Sequence, residues 1–248
     1  MAGSGGRGAL GTLVSIVVAV SAYFGVQHAL REDPSDPPDV RPPPEWNVAE
    51  PRRDRVGEIM NEELQPLMRH PRFRTMMTNA ARGQRSGEAA RDTGKRLGME
   101  LVHRGIPRLP LEGLDEWNRL RLLLADHSPR VCGAFWTGGL SEGELGQALA
   151  SLGDTDLRSW MRVSAQAGIL ELEANAQVQA NDRDLARGLE TIASRMPREE
   201  RRRFWAVVDA GETAPAADGC AVMKTIMTGA TRMRDRPRER FLRALAAL

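Results

Sequence analysis

The strongest constraint on this chain is a run near its start that holds no Asp, Glu, Lys or Arg. It covers residues 8–30, GALGTLVSIVVAVSAYFGVQHAL. A helix of that length measures roughly 34 Å, against a bilayer hydrocarbon core of about 30 Å. The run therefore reads as a single transmembrane helix acting as a signal anchor. A second reading is a cleaved signal peptide, with Arg7 as its positive start, residues 10–20 as its apolar centre and Val20-Ser21-Ala22 as the cut. A third, a core helix of a soluble domain, is disfavoured because a Pro-rich segment follows and nothing nearby covers all its sides. Tyr23, Phe24 and Val26 continue the apolar run past the cut, which favours the anchor.

A short N-terminal tail, residues 1–7, carries Arg7 and the α-amino group. That is the usual start of an export signal, and a long domain can translocate despite its own charges. The expected topology is a single-pass protein of a bacterial inner membrane, with its C-terminal domain in the periplasm. Within the span, Gly11, Ser15 and Ala19 recur every four residues. Such a small-residue face lets two membrane helices approach closely and offers a route to a homodimer.

Residues 31–55 read as an extended linker. Pro34, Pro37, Pro38, Pro42, Pro43, Pro44 and Pro51 alternate with charged residues. Proline fixes φ and removes a backbone donor, which favours polyproline II. At ~3.1 Å per residue the segment could hold a domain up to roughly 75 Å from the membrane. Pro42–Pro44 before Glu45-Trp46 could serve as a ligand for an SH3-type domain, but a spacer is the simpler reading.

Residues 56–248 read as an all-α, multi-helix domain. Val56, Ile59, Met60, Leu64 and Leu67 keep helical spacing until Pro66 must kink or end the helix. Pro71 opens a helix carrying Phe73, Met76, Met77 and Ala80. A third spans about residues 86–103, and residues 105–110 then break the chain. Leu114, Trp117, Leu120, Leu123 and Leu124 form the strongest apolar stripe, before Ser128-Pro129. Residues 140–152 follow with Ser141 and Glu144 at capping-box spacing, Leu140 and Leu145 as a hydrophobic staple, and Gly153 where a left-handed C′ residue belongs. Residues 170–180 alternate like a strand, yet their Leu, Glu, Ala and Gln favour a helix. Further helices are expected over residues 182–195, 197–209, 216–233 and 235–247.

Motifs for chemistry are missing. His28, His70, His103 and His127 have no metal-ligand spacing to a second His or Cys. There is no HExxH, P-loop, GxGxxG after a strand or GxSxG elbow, so no cofactor, metal or catalytic residue is assigned. His103 and His127 read as charge complements at helix C-termini. Glu171 and Glu173 point apart on a helix and read as a solvated face, and Asp115 and Glu116 as ordinary helix surface.

Charge is more informative. Residues 56–110 carry ten bases against six acids, residues 111–195 eight against thirteen, and residues 196–248 eleven against seven. The bases gather at Arg69, Arg72 and Arg74, at Arg82, Arg85 and Arg91, and at Arg198, Arg201, Arg202 and Arg203. Beside a bilayer such clusters could meet anionic head groups or an acidic protein. Only 4% of the residues are aromatic, which argues against nucleic acid, as does an exported location.

Two function classes fit. One is an envelope protein whose helical domain binds another protein as scaffold, adaptor or inhibitor. The other is an enzyme on an envelope substrate, with a site near the loop expected at residues 132–136. A membrane-tethered cytoplasmic regulator would need the opposite topology. Cys132 and Cys220 are the only cysteines. An even count in an exported domain suggests a disulfide between them; two buried thiols are the competing reading.

Overall fold

Proline places the first helix boundaries. The computed structural model describes residues 51–82, 87–137, 142–174 and 181–247. The expected anchor over residues 8–30, with Gly11, Ser15 and Ala19, lies outside them. Among the described residues every regular element is helical, and none is long and apolar enough to cross a membrane. Helix α1, Pro51–Glu63, buries Ile59 and Met60. It begins inside the span read as linker, and Arg55 already pairs with Asp154. The chain breaks at Leu64 and restarts as α2, Gln65–Arg69, with Pro66 in the first turn, where a missing N–H costs nothing. Pro71 opens α3, Pro71–Arg82, which buries Phe73 and Met77 one turn apart. Helix α4, Gly87–Gly105, then leads into a 3-10 turn, Ile106–Arg108.

The long apolar stripe becomes α5, Leu111–His127. Its Trp117 meets Trp160 with ring centroids 4.5 Å apart. Trp160 belongs to α8, Asp154–Glu173, which also buries Leu157, Met161, Val163, Ala165 and Ala167. Helix α8 is enclosed by α4, α1, α5 and α2, so its small residues face several neighbours. Of the helix predicted over residues 170–180, residues 170–173 form the last turn of α8; Ala174 is extended and ends the helix, and residues 175–180 lie outside the described residues.

Between α5 and α8 stand two shorter helices. Helix α6, Pro129–Thr137, is capped by Ser128, whose Oγ accepts the Val131 N–H at 3.0 Å. This corrects the loop expected around Cys132. The helix is only nine residues long, and the sequence showed its edges, Pro129 and a Gly pair, more strongly than its period. Helix α7 is Glu142–Ser151. Leu140 and Ser141 lie outside the described residues. Gly153 is not a left-handed cap: at φ −64° and ψ 158° it is extended and precedes α8.

The C-terminal helices fall within about two residues of their predicted ends. Asn181 caps α9, Asp182–Ala193, accepting the N–H groups of Arg183 at 3.1 Å and Asp184 at 3.4 Å. Then come α10, Arg198–Ala210, a 3-10 turn Gly211–Thr213, α11, Ala216–Thr231, and α12, Asp235–Ala246. Among the described residues the glycine with a positive φ is Gly211, at +56°, which ends α10 in a conformation other residues rarely adopt. Helix α11 packs on α6, α5, α9 and α10, and α12 on α9 and α5. Helix α5 therefore touches both the α8 layer and the C-terminal helices, and one continuous core runs through it.

Candidate functional site

Cys132 on α6 and Cys220 on α11 are disulfide-bonded, with Cα atoms 5.1 Å apart across an 88-residue separation. Cys132 is fully buried and Cys220 half-buried. The two helices come this close because Gly219 has no side chain. A Cβ there would lie 2.2 Å from the Trp136 ring. Trp136 in turn donates its indole N–H to the Gly211 carbonyl at 2.7 Å, fixing the turn that joins α10 to α11. Cysteine, glycine and tryptophan together set where α11 stands.

On α11, a groove of about 390 Å³ opens between its last turns, the end of α9 and the start of α10. Ile192, Met196, Pro197 and Gly229 provide its apolar surface. Arg195, Lys224 and Arg232 line it against a single carboxylate, Glu200. Lys224 is engaged by Asp126 at 2.6 Å. Arg195 donates to the Arg232 carbonyl at 3.4 Å, and both arginines are exposed. Neither forms an ion pair among the described residues.

The basic residues singled out in the sequence separate by element. Arg198, Arg202 and Arg203 are exposed on α10 beside this groove, whereas Arg201 is half-buried and donates to the Met196 carbonyl at 3.2 Å. Arg202 pairs with Glu199 at 2.6 Å. Arg69, Arg72 and Arg74 are exposed on α2 and α3, and Arg72 donates to the Leu172 carbonyl. Arg85 and the side chains of Arg82 and Arg91 lie outside the description.

Two sequence expectations about acids change. Glu171 is not solvated. Its side chain is 11% exposed and bonds Arg108 at 2.6 Å and Arg104 at 3.3 Å, beside a cavity of about 100 Å³ lined also by His103 and Pro107. Asp115 and Glu116 keep about a third of their side-chain surface exposed, and they also tie helices together, which the surface reading did not foresee. Asp115 pairs with Arg238 of α12 at 3.2 Å, and burial lifts its carboxyl despite that cation. Glu116 bonds Arg119 at 2.7 Å and accepts the Ser159 hydroxyl; the Arg119 bond leads in holding its carboxyl low.

The histidines divide similarly. His127 shares a hydrogen bond with Ser151 Oγ at 2.9 Å, and His70 lies 3.9 Å from Glu173. His103 is no charge complement: burial first, then Arg104 and Arg121, push its imidazole toward the neutral form. Sequence reasoning missed Arg121. It lies in α5 next to Leu120, 6% exposed, and burial pushes its guanidinium down to about 10. Its Nε has no hydrogen-bond partner, and no ion pair reaches it among the described residues. Its place one turn after Trp117 on the apolar stripe was the available signal. No group of three His, Cys, Asp or Glu among the described residues could hold a metal ion.

No known family model, curated protein or solved structure matches the chain.

Proposed function

We propose that this chain is a membrane-tethered protein of the bacterial envelope whose exported helical domain binds another protein. The Cys132–Cys220 disulfide is the observation that carries the reading. Oxidising compartments preserve such bonds and the cytosol reduces them. The uncharged run at residues 8–30 supports the tether, and its Gly11, Ser15 and Ala19 face supports association of two anchors. The Pro-rich segment after it would hold the domain away from the lipid. An exposed, basic, partly apolar groove suits a protein partner better than it suits a reaction, because the groove brings one carboxylate and no histidine or thiol to its walls.

The experiment has two readings on one preparation. Protease added to spheroplasts digests the domain while cytoplasmic controls survive. Alkylation after denaturation without reductant finds no free thiol, and the chain keeps monomeric mobility on a non-reducing gel. Protection of the domain until lysis, together with two free thiols per chain, would overturn the exported topology. Mild solubilisation then recovers a stoichiometric partner; a domain that elutes alone at every salt concentration would refute the binding role.

A further inference from the structure

The groove on α11 deepens that reading, and its argument rests on the domain being a protein-binding module. We propose that the groove binds an acidic, extended segment of the partner. One aliphatic side chain of that segment lies on Ile192 and Met196, and its carboxylates meet Arg195 and Arg232.

Charge is the first reason. Lys224 is already neutralised by Asp126, so Glu200 faces two arginines that pair with no carboxylate among the described residues. Arg198 and Arg203, exposed on the adjoining α10, also form no ion pair there, and they extend the positive field beyond the groove. An incoming acidic chain is steered toward such a surface, and a basic chain is repelled.

Shape is the second reason. The volume of about 390 Å³ lies within the range usual for ligand sites. The floor is recessed: Ile192 is only 4% exposed, so a flat bilayer surface cannot reach it, whereas a side chain can. Met196 is half-buried and adapts to the side chain placed on it.

Preorganisation is the third reason. The Arg195 guanidinium is held across the groove by the Arg232 carbonyl, and Met196 is held by Arg201. The Arg195 guanidinium, held in this way, loses less freedom when it donates to a carboxylate, and the guanidinium fork matches the two carboxylate oxygens.

The test uses the full chain in mild detergent and a fluorescein-labelled peptide, Asp-Glu-Leu-Asp-Glu amide, read by anisotropy. The peptide should bind, and affinity should fall at least about fivefold between roughly 50 and 300 mM salt. The double variant Arg195→Glu/Arg232→Glu should weaken binding by about tenfold or more, while Arg69→Glu, on α2, leaves it unchanged. Replacing the peptide's Leu by Ser should weaken binding too, and a Lys-for-acid peptide should not bind. Circular dichroism of the double variant must match the parent; Arg195→Gln/Arg232→Gln, a milder change at two exposed positions, repeats the test if it does not. No peptide binding, or binding indifferent to both double variants, would overturn the proposal. So would arginine-dependent capture of phosphatidylglycerol vesicles with no peptide binding, which would assign the face to lipid. The assay is blind to topology. A cytoplasmic domain that binds the peptide would sink the export reading alone, and a stoichiometric partner without peptide binding would sink only the groove.

Discussion

A proton added to His103 would sit in the field of two guanidinium groups, Arg104 beside it on α4 and Arg121 on α5, with Glu100 alone opposing them. Burial disfavours it further. The unfolded imidazole protonates near pH 6.5 and the folded one only at lower pH. Above that value both states are neutral and the group contributes nothing. As the pH falls through it the unfolded chain takes up the proton first, so stability declines until the folded imidazole is also charged. His103→Gln should therefore lose less stability than the parent between about pH 7.5 and 5 in urea unfolding. Parallel losses would refute this account of the site. Arg121 makes a second test. A buried cation without a carboxylate is costly, and an apolar residue of similar volume removes the cost. Arg121→Met should leave stability unchanged or raise it by up to about 4 kcal/mol. A loss of several kcal/mol would show that the guanidinium is paired.

At the scale of helices, α6 and α11 fit together only because one atom is missing. Gly219→Ala places a methyl within 2.2 Å of the Trp136 ring, and Trp136 cannot swing away without losing its bond to Gly211. The substitution should cost about 1–3 kcal/mol, seen as a lowered thermal midpoint. An unchanged midpoint would mean that α11 has room to shift. Helices were also where the sequence was most legible. Pro66 at the break before α2, Pro71 at the start of α3 and the apolar stripe of α5 are local signals, and local signals survive in a single sequence. Helix α6 was lost because nine residues hold too few turns to show a period. Glu171 was misread because its partners, Arg104 and Arg108, lie more than sixty positions earlier. The α11 groove was invisible for the same reason. Its walls come from three helices, and only Arg198 and Arg201–Arg203 beside it registered, as a basic cluster.

Across the whole molecule the disulfide joins two helices that already touch, so it is expected to deepen the fold rather than create it. The chain-entropy estimate for closing an 88-residue loop is of order 4–5 kcal/mol, and measured gains usually fall nearer 2–4. Cys132→Ser/Cys220→Ser should keep the helical spectrum and unfold at lower denaturant, by about 2–4 kcal/mol. Loss of the spectrum would mean that α6 and α11 cannot hold each other without the bond. The same separation also has a meaning in time. A chain made from its N-terminus at about 5–20 residues per second leaves Cys132 alone for roughly 4–18 s before Cys220 exists. With two cysteines there is only one way to pair within a molecule. Every wrong bond made in that interval is therefore a bond to another molecule, never a mispairing inside the chain.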